Sequence, residues 1–244
     1  MNKLYVVGIG PGNEEGMTIR ARKVLDECRV IAGYKTYIDL VKPFLSDDKE
    51  YIETGMRAEE ERCRMALEAA ADRTDPVCMI CSGDAGIYGM AGIVYELAGE
   101  YEGVSVEVIP GVSAALSGSA LLGAAVGHDC AIISLSDLLT PWELIEKRIR
   151  AAAEGDFVIV LYNPASRKRA GYLKRACDIV SGLRSGDTVC GYVRNIGRDG
   201  ESVTVTNLNE LGEAAVDMFT TVFIGNSMTK NIDGHMVTPR GYRL

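Results

Sequence analysis

The sequence predicts an α/β protein of two αβα domains, the first built on a parallel sheet and the second on a mixed one. Three observations carry that expectation. Short apolar runs alternate with amphipathic segments from residue 3 to residue 109. After Pro110 a stretch of small residues (AALSGSALLGAA) interrupts the rhythm, and a second alternation starts at residue 130. Near the end, residues 201–206 alternate Val with Thr and residues 220–224 are apolar, which adds an antiparallel element. The boundary is expected near residue 115, giving domains 1–115 and 116–244.

The elements follow in order. Residues 3–9 read as a strand and residues 17–28 as an amphipathic helix with Thr18 near its start. A short strand at 29–32 leads to a helix at 37–41 that stops near Pro43. Residues 50–53 form a strand, and residues 58–71 a long helix whose acidic start suits the helix dipole. Strands at 77–81 and 104–109 enclose a helix at 87–98, which completes a βαβ series with a parallel sheet. The small-residue run 113–125 is helical, and residues 127–129 (GHD) break it. Strands at 130–135, 156–161 and 188–194 then alternate with helices at 141–153 and 168–183.

Composition narrows the function classes. The net charge of −8 is uneven: residues 1–120 hold 12 basic and 20 acidic side chains, the remainder 14 of each. An acidic first half lacks the basic footprint that nucleic acid requires. No apolar run reaches the ~20 residues of a membrane span, and residues 1–8 enter a strand without a signal-peptide pattern. A cytoplasmic protein with no membrane partner is expected. The seven cysteines are an odd number, and Cys78 and Cys81 lie in a strand-like run whose alternation sends them to opposite faces. With two histidines, His128 and His235, and no Cys/His knuckle, no metal site is expected.

Three loops at strand ends carry the chemistry. The run 82–89 (SGDAGIYG) crowds three glycines around Asp84 at the carboxyl end of a buried strand, the edge where open α/β sheets bind ligands. Asp84 is there either to cap the next helix or to accept hydrogen bonds from a ligand's hydroxyls or amine. The run 8–12 (GIGPG) follows the first strand and the run 110–114 (PGVSA) another. The first is a poor dinucleotide fingerprint, because Asn13 stands where GxGxxG needs glycine and no acidic residue ends the second strand.

In order and spacing these runs resemble the tetrapyrrole methylase family, the S-adenosylmethionine (SAM)-dependent methyltransferases of corrin and sirohaem synthesis. The family's Gly-x-Gly-Pro-Gly is present as 8–12, its Ser-Gly-Asp-Pro-x-x-Tyr-Gly as 82–89 with Ala85 in place of proline, and its Pro-Gly-x-Ser as 110–113. The stretch 127–142 (GHDCAIISLSDLLTPW), with 161–167 (LYNPASR) and 223–227 (FIGNS), resembles the branch that methylates C-17 and contracts the ring. That branch acts on precorrin-3B or cobalt-factor III in cobalamin synthesis.

The resemblance implies a homodimer whose subunits hold SAM in an inter-domain cleft, with a tetrapyrrole (a corrinoid precursor) as substrate and S-adenosylhomocysteine as product. By position, Pro11, Gly83, Asp84, Ile87, Ser113 and Ala114 would contact SAM from the first domain. Tyr162, Asn163, Asn195 and Ile196 would do so from the second. Methyl transfer from a sulfonium rewards alignment more than acid–base strength. Ring contraction joins a hydroxyl and an acetate arm, so proton transfer helps, and His128, Ser134, Ser136 and Asp137 are its polar candidates. His128 stands equally as a hinge residue and Asp137 as a loop cap. Arg167, where a cation opposes a helix dipole, is a candidate partner for substrate carboxylates or a solvated charge. A family member acting at another carbon, and a nicotinamide oxidoreductase, are the alternatives. Run 127–142 argues against the first and the broken fingerprint against the second.

Overall fold

The computed structural model describes residues 2–166 and 170–242. Two compact units are present, Met1–Ala114 and Ala115–Leu244.

In the first unit the strands are β1 (Asn2–Gly8), β2 (Val30–Tyr34), β3 (Glu50–Thr54), β4 (Val77–Cys81) and β5 (Val104–Ile109). The helices are α1 (Ile19–Glu27), α2 (Lys35–Val41), α3 (Glu59–Ala71) and α4 (Ala91–Ala98). The sheet order is β3-β2-β4-β1-β5, parallel throughout, as the βαβ rhythm predicts. Both faces are covered, so the central strands are continuous apolar runs. Leu4, Val6, Val77 and Met79 pack with Leu67 and Val94 on one face. Tyr5, Val7, Cys78 and Ile80 pack with Val24, Leu25 and Ile38 on the other. Each such side chain contributes ~1.5–3 kcal/mol on burial. The CxxC pair divides as alternation requires, Cys78 to the second cluster and Cys81 to the first.

Several helices are shorter than expected, and two of them show why. The segment predicted as helix 87–98 is helical only over Ala91–Ala98. The nine residues after β4 form an open loop instead, in which Tyr88 takes a left-handed φ of 55°. The small-residue helix α5 (Ala114–Leu122) ends early because Gly123, at φ 124°, turns the chain out of it. Gly123–Ala124 becomes the short strand β6.

The second unit continues with β7 (Cys130–Ser134), α6 (Trp142–Glu154), β8 (Val158–Tyr162), α7 (Tyr172–Ser181) and β9 (Val189–Arg194). It ends with β10 (Ser202–Asn207), α8 (Leu208–Leu211), β11 (Thr220–Ile224), β12 (Lys230–Ile232) and β13 (His235–Val237). The main sheet runs β10-β9-β11-β8-β7, with β11 antiparallel to both neighbours and β7 parallel to β8. It is mixed, as the Val/Thr alternation predicts. A small sheet, β12-β13-β6, was not legible in the sequence, because β6 pairs with a strand more than a hundred residues away.

Packing explains the small residues of α5. A Cβ on Gly118 would lie 2.8 Å from the Phe223 ring. Arg184, a half-buried cation, donates to the carbonyls of Gly225 (2.6 Å), Phe157 (2.8 Å), Ala152 (3.1 Å) and Ala153 (3.2 Å). It thereby satisfies the carboxyl end of α6.

Candidate active site

In the first unit all five strands end on one edge, and three of their loops touch there through backbone. Gly10 and Gly83 exchange two hydrogen bonds, N–H to O at 3.0 Å and 2.7 Å, with φ of 73° and 67°. A Cβ on Gly8 would lie 2.6 Å from the Gly111 nitrogen and 2.7 Å from the Gly83 oxygen. One on Gly111 would lie 2.1 Å from the Gly83 oxygen. The motif glycines thus let the three loops approach one another, where sequence reasoning had invoked only the approach of a ligand. Thr18 adds a link: its hydroxyl caps α1 at the Ala21 amide (3.1 Å) and donates to the Pro110 carbonyl (3.4 Å).

Asp84 holds this edge together. It is not the cap of the following helix, which begins seven residues later at Ala91. Oδ1 accepts from the amides of Gly86 (2.8 Å) and Ile87 (3.1 Å), and Oδ2 from the amide of Gly111 (3.0 Å). A carboxylate has about four acceptor positions, so about one remains for a ligand. Ile87 is exposed beside it. Pro11 and Ala114 are half-buried on the flanking loops.

Ser113 is the unusual member. It is only 3% exposed, and its Oγ has no hydrogen-bond partner. An orphaned buried hydroxyl costs about 1–3 kcal/mol until a ligand or water meets it. Together with the acceptor position left on Asp84, it fits a small polar ligand with its own donors and acceptors, as the amino-acid and ribose groups of SAM are.

Arg62 was missed in the sequence and nothing there marks it. It is 5% exposed, and its guanidinium donates to Thr54 Oγ1 (2.7 Å) and the Gly55 carbonyl (3.0 Å), with Met90 Sδ at 3.9 Å. It ties the end of β3 to the loop before α4.

The second unit gathers its candidates at the carboxyl ends of β7, β8 and β9. Ser134 Oγ accepts from Asn163 Nδ2 (3.0 Å) and from the Ser136 amide (3.2 Å). Asn163 and Asn195 take left-handed φ of 54° and 53°, a conformation asparagine tolerates best among non-glycine residues. The Tyr162 hydroxyl accepts from the Ala115 amide at 2.9 Å. Asp137 Oδ2 accepts from the Tyr172 hydroxyl at 2.6 Å. Ile196 is buried, close to Gly118 of α5, and serves the core.

His128 is placed elsewhere. It precedes β7 whereas Ser134 ends it, and six extended residues span about 20 Å. Its Nδ1 accepts from the Asp129 amide at 2.8 Å. The structure therefore brings Ser134, Ser136 and Asp137 to one edge and leaves His128 at the other. Arg167 lies outside the described residues. Among the described residues no three His, Cys, Asp or Glu side chains are grouped to hold a metal ion.

The sequence model of the Tetrapyrrole (Corrin/Porphyrin) Methylases matches residues 3–212. The chain belongs to this family. The family's enzymes are SAM-dependent C-methyltransferases, and the three joined loops carry its motif runs 8–12, 82–89 and 110–113. A "Probable cobalt-factor III C(17)-methyltransferase" of Salmonella typhimurium is 49% identical over 242 residues, covering 99% of this chain and all of that protein. A "Precorrin-3B C(17)-methyltransferase" of Sinorhizobium sp is 37% identical, covering 98% of this chain and 96% of its own. The crystal structure of the methyltransferase CobJ superposes with a TM-score of 0.90 at 32% identity, covering 98% of this chain and all of that one. The fold is thus that of the tetrapyrrole methylases. Among the described residues no helix is long and apolar enough to cross a membrane.

Proposed function

We propose that this chain transfers a methyl group from SAM to C-17 of a corrinoid precursor, cobalt-factor III or precorrin-3B, with contraction of the macrocycle, in cobalamin biosynthesis. The near-complete likeness to C(17)-methyltransferases supports the reaction. The observation that carries the cofactor is the three-loop edge, where Ser113 Oγ lacks a partner and Asp84 retains one acceptor position.

SAM supplies an electrophilic methyl group on a sulfonium. Asp84 and Ser113 would hold its polar groups, at the edge formed by the Gly83–Ile87 and Gly111–Ala114 loops. Because Asp84 and the glycine contacts already fix these loops, little ordering remains to be done on binding. Near-attack alignment of this kind is worth up to ~7–11 kcal/mol of a barrier. Ser134, Ser136 and Asp137 are the polar groups proposed to handle protons during contraction, with Asn163 orienting the Ser134 hydroxyl. A cytoplasmic homodimer belongs to the same reading, on the family likeness.

The test is incubation with SAM and either cobalt-factor III or precorrin-3B, followed by mass spectrometry of the product. A gain of one methyl group with one of the two is expected and names the substrate. Calorimetric binding of NAD without binding of SAM or S-adenosylhomocysteine would refute the proposal.

A further inference from the structure

The loop after β7 holds two leucines out in solvent: Leu138 is 67% exposed and Leu139 96%. They do not belong to a slack segment. On one side Leu135 is buried, its amide bonded to the Tyr162 carbonyl at 2.9 Å. Within the loop, the Ser136 amide donates to Ser134 Oγ and Asp137 accepts from the Tyr172 hydroxyl. On the other side Trp142 is buried with its ring 4.7 Å from that of Tyr172, and the Arg175 guanidinium lies 4.1 Å over it. Both ends of the six-residue segment 136–141 are fastened, and its tip is apolar.

We infer that Leu138 and Leu139 form the platform for the apolar face of the macrocycle, resting on the reading of this chain as a corrinoid methyltransferase. They stand on the edge that also carries Ser134, Asn163 and Asn195. A tetrapyrrole is a broad conjugated face rimmed by carboxylates. It needs apolar contact on its plane while its rim stays solvated or paired, and a pinned dileucine offers that contact at small ordering cost. A second copy of the chain is the competing occupant. Two leucines fall far short of the ~800 Å² per partner that a stable interface buries.

The tip is solvent-exposed, so Leu138→Ser with Leu139→Ser leaves the fold intact. The single tryptophan, Trp142, sits at the base of the loop, and quenching of its fluorescence by cobalt-factor III reports binding without turnover. The double variant is expected to weaken cobalt-factor III binding roughly tenfold or more, the worth of burying one to two leucines. Its affinity for S-adenosylhomocysteine and its mass by light scattering are expected to match the parent protein. Unchanged corrinoid affinity would overturn the inference, and so would a loss of affinity that accompanies a fall in mass. Failure of the parent protein itself to bind or methylate either corrinoid would count against the proposed function instead.

Discussion

The Asp84 carboxylate accepts the Gly111 amide at 3.0 Å, joining the loop after β4 to the loop after β5 across 27 residues of sequence. With its other oxygen on Gly86 and Ile87, this one side chain sets the shape of the proposed cofactor edge. Hydrogen bonds to a charged group contribute about 1.5–3 kcal/mol each. Asp84→Asn retains one carbonyl oxygen and cannot serve both loops. It is expected to lower S-adenosylhomocysteine affinity by about tenfold or more in calorimetry, and Asp84→Ala further. An Asp84→Ala protein that binds as tightly as the parent would remove Asp84 from the site.

Gly111→Ala places a Cβ 2.1 Å from the Gly83 oxygen, and backbone on both sides cannot yield cheaply. Loss of cofactor binding and a melting point lowered by several degrees are expected. Gly92, in the first turn of α4, has nothing within 4 Å of its virtual Cβ. Gly92→Ala is the matched control and should stabilise by up to ~1 kcal/mol. Equal melting points for the two variants would contradict this account of the motif glycines.

His128 sits at the amino end of β7, remote from Ser134 and Asp137. His128→Asn should keep kcat within about twofold of the parent, given the usual small effect of changes at exposed positions. Asp137→Asn, at the loop edge, should lower kcat by tens of fold if it moves a proton. A large kcat loss in His128→Asn alone would reverse this assignment.

The thiols should be inert except for one. Burial pushes Cys81 up to about 11 and Cys63 and Cys177 up to about 12, far above the pH at which thiolates form readily. Cys130 is the exposed cysteine, although partial burial raises its thiol too. Native protein at pH 8 should therefore consume about one equivalent of a disulfide reagent, mapped to Cys130, and more only in denaturant. Rapid labelling of Cys78 or Cys81 would contradict their burial and give this CxxC pair a redox role.

The parallel and mixed sheets were legible because apolar runs of strand length, separated by amphipathic segments, leave few ways to pair. The three ligand-edge loops were legible because glycine at a strand end constrains backbone locally. The helix limits at Ala91 and Leu122 were not, since Gly89 acts through crowded backbone and Gly123 through a left-handed one, which periodicity does not register. Nor was Arg62, whose partners come from β3 and the loop before α4.

By itself, then, the sequence determined the order and kind of the elements, the opposed faces of Cys78 and Cys81, and the family motifs. Those depend on local spacing, 2 residues per repeat in strands and 3.6 in helices. Only the tertiary structure decided that Asp84 fastens the loop after β4 to the loop after β5, that Ser113 Oγ is left without a partner, and that His128 stands apart from Ser134. Those depend on which strands lie side by side and which of their ends share an edge, and pairing between distant segments is set by the packed core as a whole.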